Sequence, residues 1–138
     1  MSPVEIEIPP SFDHLAMVRS VLSNALGAGQ VLKDERLHDL RLAVSEATTN
    51  AIEAHHASGV EATVRIRVDI GDREVQVVVV DRGSGFDPSK LKPHPPVTDP
   101  ERLEYERGLG VTLMRRLTDE CRIDSGEAGT TVTLTMLR

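Results

Sequence analysis

Aromatic side chains are almost missing from this chain: among 138 residues there is no Trp, one Tyr and two Phe. Proteins that hold single-stranded nucleic acid stack its bases on such rings, so that class is disfavoured and the core has to be aliphatic, built from Val, Leu, Ile and Ala. Positive charge is also in short supply. With 16 Lys and Arg against 22 Asp and Glu, the formal net charge of -6 offers no handle for a polyanion, and no direct nucleic-acid contact is expected. The single cysteine, Cys121, has no second thiol for a disulfide or a metal cage, which fits a reducing cytoplasm. Apolar runs are short, Val77 to Val80 being four residues, far below a membrane span. The first ten residues carry Glu5, Glu7 and prolines in place of a basic segment and an apolar stretch, so a soluble, cytoplasmic protein is expected.

What remains suits one globular domain over 1–138, because a 39% hydrophobic content can fill a single core. Val4, Ile6 and Ile8 alternate with Glu5 and Glu7, the period of a half-buried strand, and Pro9 and Pro10 end it. Ser11 is a candidate N-cap for a helix whose apolar positions Leu15, Val18, Leu22 and Leu26 run to Gly27. A second helix is predicted from near Asp34 to about Ala57, on the stripe Leu37, Leu40, Val44, Ala47 and Ala51. A hairpin follows, with Val60 to Ile70 and Glu74 to Val80 joined at Gly71 and Asp72, the second strand expected to be covered on both faces. Beyond a segment from Asp87 to Pro100 that holds five of the eight prolines, Leu109, Leu113, Met114 and Leu117 mark a third helix. Arg122 to Ser125 and Thr130 to Leu137 make a last hairpin around Gly126 to Gly129. The fold class expected is α/β (α+β): a two-layer sandwich, its sheet antiparallel or mixed, its helices on one face.

Three places could carry chemistry. On the second helix Glu46 and Asn50 are four residues apart and share a face with Glu53, roughly opposite the Val44 and Ala51 stripe. They form either a solvated face or a general base beside a hard oxygen ligand for Mg²⁺. Asp81, ending a buried strand before Gly83 and Gly85, is either a turn cap or an acceptor for an adenine amino group; guanine would set a carbonyl against it. Arg107, Gly108, Leu109, Gly110 and Val111 lead into the third helix, either as a plain helix-start turn or as an anion site, where glycines at a helix N-terminus would leave amides unpaired for phosphate and Arg107 would add positive charge. Thr130, opening the last strand, could bond to Asp81 or to a base. The pair His55 and His56 reads as structural, since neighbouring residues on a helix point about 100° apart.

In order, SEATTNAIEAH resembles the N box of the GHKL superfamily of ATPases and kinases, DRGSGF its first glycine box, ERGLGVTLM its second and GTTVTL its closing strand. The chain is most similar to the bacterial anti-sigma factor serine kinases, which bind a sigma factor and phosphorylate an anti-anti-sigma protein. The resemblance implies a Bergerat ATP-binding fold with a mixed, mainly antiparallel sheet. It implies Glu46 as the general base, Asn50 as the Mg²⁺ ligand and Asp81 as the holder of the adenine amino group, with Gly83 and Gly85 making room. Arg107, Gly108 and Gly110 would meet the ATP phosphates, Thr130 would support the adenine end, and about 87–107 would be the ATP lid. The implied partners are a sigma factor, an anti-anti-sigma (STAS-type) protein and a second copy in a homodimer. Ala54 stands where many relatives have a histidine, with His55 one step later. The alternative function is a nucleotide-binding partner-switching module with little or no kinase activity. A detached sensor-kinase domain would need a histidine-bearing helical hairpin, which these residues do not contain.

Overall fold

Local sequence signals place the elements, and tertiary contacts set their ends. A computed structural model describes residues 3–27, 31–85 and 102–138, with 102–108 described as backbone. Strand β1 is Val4–Ile8, helix α1 Leu15–Leu26, helix α2 Asp34–Ser58, β2 Val64–Ile70, β3 Glu74–Asp81, helix α3 Arg102–Leu117, β4 Glu120–Gly126 and β5 Gly129–Leu137. Ser11 does cap a helical turn: its Oγ accepts from the Asp13 N–H at 3.3 Å, opening a short 3₁₀ turn that leads into α1. Helix α2 runs one residue beyond the expected Ala57 and ends on Gly59.

The described strands form one sheet in the order β1-β2-β3-β5-β4, with every pairing antiparallel. The register puts Ile6, Ile66, Val79 and Val132 in one row, and Val68, Val77 and Leu134 in the next. These residues, with Ile8, Val75 and Met136, meet Val18 and Leu22 of α1, Leu40, Val44, Ala47 and Ala51 of α2, and Val111 and Met114 of α3 in one aliphatic core. The expected two-layer sandwich is therefore present, all of its described sheet antiparallel.

Two expectations need correction. Strand β3 is covered on one face only: Val75, Val77, Val79 and Asp81 are buried, whereas Val78 and Val80 are part-exposed on the other face, paired in register with Arg67 and Arg65. A two-layer sandwich covers one side of its sheet, and on the other side the arginine stems lie beside the valines. Strand β2 begins at Val64, not Val60, because the preceding residues cap α2. The Val60 N–H donates to the His55 carbonyl at 2.9 Å, and the Ala62 carbonyl faces the His55 ring.

The end of the sheet near the start of α2 is tied by Asp119. Its Oδ2 accepts from the Leu137 N–H at 2.7 Å and pairs with the Arg36 guanidinium, which also donates to the Leu137 carbonyl at 3.0 Å. The Leu137 amide above all, with Arg36, holds the Asp119 carboxyl below its usual range. Burial pushes the Cys121 thiol up, although Arg115 works against it.

Candidate active site

Glu46 and Asn50 lie one above the other on α2, as their spacing requires, but their face is not left to solvent. Helix α3 crosses it at Gly110. A Cβ built on that glycine would stand 3.0 Å from Glu46 Oε2, 3.4 Å from Asn50 Nδ2 and 3.7 Å from Asn50 Oδ1. A residue without a side chain thus lets α3 approach the carboxylate and the carboxamide together. Both side chains remain partly accessible. Their oxygens are the hard donors that Mg²⁺ takes, and one or two protein oxygens suffice for an ion that keeps waters and substrate phosphate oxygens as its other ligands. The residues present therefore fit Mg²⁺. No cluster of three His, Cys, Asp or Glu that could cage a metal occurs among the described residues.

The end of β3 supplies the second part. Asp81 is 7% exposed, and its Oδ1 accepts from the Gly83 N–H at 2.9 Å, so the carboxylate is held by the loop that follows it. Across the β3–β5 ladder its partner is Thr130, also buried, whose Oγ1 lies 2.7 Å from Ser125 Oγ on β4. Asp81, Thr130 and Ser125 share the helix-facing side of the sheet.

The loop Arg82–Gly85 is fastened to the last turns of α2. The Arg82 N–H donates to His55 Nε2 at 2.8 Å, and the Ser84 N–H donates to Ser58 Oγ at 3.1 Å. Gly83 packs on Ala54 so closely that a Cβ there would lie 2.8 Å from the Ala54 Cβ. At Gly85, with φ of 81°, a Cβ would fall 2.2 Å from the Gly126 carbonyl oxygen. The room that Gly83 and Gly85 make is thus taken by protein atoms of α2 and of the β4–β5 turn. These contacts place Asp81 beside the C-terminal half of α2, the helix that carries Asn50.

A profile of the histidine kinase-like ATPase domain matches residues 8–136. The chain belongs to this family. As a histidine kinase-like ATPase domain it is 32% identical over 136 residues to the serine-protein kinase RsbW of Bacillus subtilis strain 168, a match covering 96% of this chain and 83% of that protein. It is 30% identical over 135 residues to the serine-protein kinase RsbW of Staphylococcus epidermidis, covering 95% of this chain and 84% of the relative. The crystal structure of the RsbU and RsbW domains of Rv1364c from Mycobacterium tuberculosis shares the fold with a TM-score of 0.72 at 24% identity, over 99% of this chain and 32% of that longer one. The histidine kinase domain of the blue-light activated histidine kinase EL346 from Erythrobacter litoralis gives a TM-score of 0.52 at 20% identity, over 94% of this chain and 61% of the other.

One sequence expectation about this ATPase domain is overturned. Gly108 and Gly110 do not stand at the N-terminus of the third helix: α3 starts at Arg102, so both lie inside it and their amides are not at an open helix end. Leu103, Glu104, Glu106 and Arg107 are good helix formers and carry the helix through two glycines that cost about 1 kcal/mol each relative to Ala. The Arg107 side chain and the lid residues 87–101 lie outside the described residues. The structure brings Glu46, Asn50 and Gly110 together, and separately gathers Asp81, Gly83, Gly85 and Thr130. It also adds His55 and Ser58, through long-range hydrogen bonds that no local pattern announces, and Ser125, through a bond to Thr130 across the last hairpin. Of the two histidines read as structural, His56 bonds through Nε2 to the Pro10 carbonyl at 2.6 Å and packs its ring edge-on against Phe12, whereas His55 ties the loop after Asp81 to α2.

Proposed function

We propose that this domain is an anti-sigma factor with ATP-dependent serine/threonine protein kinase activity. It sequesters a sigma factor and phosphorylates a serine or threonine of an anti-anti-sigma (STAS-type) protein. The observation that carries the reading is the meeting of Glu46 and Asn50 of α2 with Gly110 of α3, which sets a carboxylate and a carboxamide together on the helix whose last turns hold the loop that follows Asp81.

In this reading Asp81 accepts a hydrogen bond from the adenine amino group, with Thr130 supporting that end. Asn50 is the residue that would hold Mg²⁺, which when bound neutralises phosphate charge. The substrate hydroxyl oxygen attacks the γ-phosphorus, the bond from that phosphorus to the bridging oxygen breaks, ADP leaves with the electron pair, and the hydroxyl proton passes to Glu46. Positioning contributes more than covalent chemistry here. Arg107, Gly108 and Gly110 lie along α3, which crosses α2 at Gly110, and are the residues of this reading that meet the phosphates. The segment of about 87–107 is then the ATP lid of a single domain spanning 1–138.

The protein works in the cytoplasm and as a homodimer. Among the described residues no helix is long and apolar enough to cross a membrane. Light scattering at micromolar concentration tests the dimer: the expected mass is twice 15.1 kDa, and a strictly monomeric species would contradict it.

Incubation with γ-labelled ATP and candidate antagonist proteins from the same genome tests the activity. Label on a serine or threonine of one candidate supports the kinase. Binding of ATP and a sigma factor, with no label on any candidate, would favour the partner-switching module with little or no kinase activity.

A further inference from the structure

His55 is fully buried, and both of its ring nitrogens have backbone partners from different parts of the chain. Nε2 lies 2.8 Å from the Arg82 amide nitrogen and Nδ1 lies 2.9 Å from the Ala62 carbonyl oxygen. A backbone amide can only donate and a carbonyl can only accept, so Nε2 carries the lone pair and Nδ1 carries the proton. One neutral ring therefore bridges the connection that leads into β2 and the peptide that leaves β3.

Arg82 directly follows Asp81, so the atom that His55 holds belongs to the peptide unit leaving the carboxylate's own residue. That unit has little other freedom. The Gly83 amide is bonded to Asp81 Oδ1, Gly83 is pressed on Ala54, and the Ser84 amide is bonded to Ser58. On the other side a Cβ at Gly129 would fall 2.0 Å from the Asp81 carbonyl oxygen, so β5 leaves no slack there either. The bond from His55 is more buried than the one from Ser58 and lies closer along the chain to Asp81.

We infer that His55 is a positioning residue for the adenine end of the site: through Nε2 it fixes the Arg82 peptide and thereby the direction of the Asp81 carboxylate. The inference rests on the proposed role of Asp81 and adds to it a residue that touches no substrate. A misplacement of about 1 Å in such a group can cost on the order of 10²-fold in its task.

Two substitutions divide the ring's functions. In His55→Gln the Oε1 can reach the Nε2 position and accept from Arg82; in His55→Asn the amide can replace Nδ1 toward Ala62 but falls short of Arg82. Calorimetric titration with ATP is expected to show His55→Gln within about 3-fold of the native protein and His55→Asn weakened by roughly 10-fold or more, the two having similar melting temperatures. In the native protein, saturating ADP is expected to slow hydrogen exchange at the Arg82 amide, whereas tripolyphosphate, which lacks adenine, leaves it unchanged. Equal losses of affinity in both variants that track their melting temperatures would overturn the inference, and so would an Arg82 exchange rate that ADP does not alter. If His55→Asn does not fold, the exchange measurement on native protein decides. A native protein that binds no adenine nucleotide would sink the role of Asp81 and this inference together, whereas native binding matched by His55→Asn would sink this inference alone.

Discussion

Gly110 of α3 stands over Glu46 of α2 so closely that a Cβ there would lie 3.0 Å from Oε2 and the carboxylate would have to give way by a few tenths of an ångström. The nearest atom is the end of a flexible side chain, so Gly110→Ala can be accommodated by moving the carboxylate, and an alanine inside a helix is itself favourable. The expected result is a melting temperature changed by no more than a few degrees and a phosphoryl transfer rate lowered by roughly 10-fold or more, as for a displaced base. An unchanged transfer rate would mean that the position of Glu46 does not matter.

Glu46 and Asn50 are expected to fail differently. Glu46→Ala should keep ATP affinity and sigma-factor binding while transfer falls by roughly 10²-fold or more, the usual contribution of a positioned base. Asn50→Ala should lose Mg²⁺-dependent nucleotide binding and transfer together. Transfer at the native rate by Glu46→Ala, on a confirmed protein substrate, would remove Glu46 from the role of base.

At the other end of the site, Asp81→Asn replaces an acceptor by a group that can present a donor to the adenine amino group. ATP affinity is expected to fall by about 1 to 3 kcal/mol, and the native protein should prefer ATP and ADP to GTP. Isothermal titration with the three nucleotides checks both, and superimposable ATP and GTP curves would refute the assignment.

Acid should act on the fold through Asp119. The Leu137 amide, and after it Arg36, hold its carboxyl below the ordinary value of 3.8, so the folded state binds that proton less readily than the unfolded chain. The resulting stability is complete above pH 3.8 and is lost as pH falls through the lower, folded-state value. Because Asp119 and Arg36 are about one-third exposed, the effect is screened, below about 1 kcal/mol. Urea melts of the native protein and Asp119→Asn should therefore differ at pH 7 and converge in strong acid. A difference of the same size at pH 2 would contradict it.

The elements that were readable in advance have a local cause. Helix α2 was legible because Leu40, Val44, Ala47 and Ala51 repeat at helical spacing, and β1 because Val4, Ile6 and Ile8 alternate with glutamates. The start of α3 was not, because two glycines look like a helix opening, whereas the good helix formers ahead of them carry the helix back to Arg102. The start of β2 was missed for another reason: Val60 alternates like the strand after it, but its amide is taken by the end of α2.

Sequence alone determined the succession of strands and helices, the helix face carrying Glu46 and Asn50, and the carboxylate at the end of β3. Each of these depends on spacing along a few residues, where backbone geometry converts order into direction. Tertiary structure alone decided which face of β3 is covered, that α3 crosses Glu46 at a glycine, and that His55 holds the Arg82 amide. An apolar stripe states that a side must be covered without saying by what. A buried histidine needs two partners, and these came from Ala62 and from Arg82, the latter 27 residues away, which only the folded chain brings to the ring.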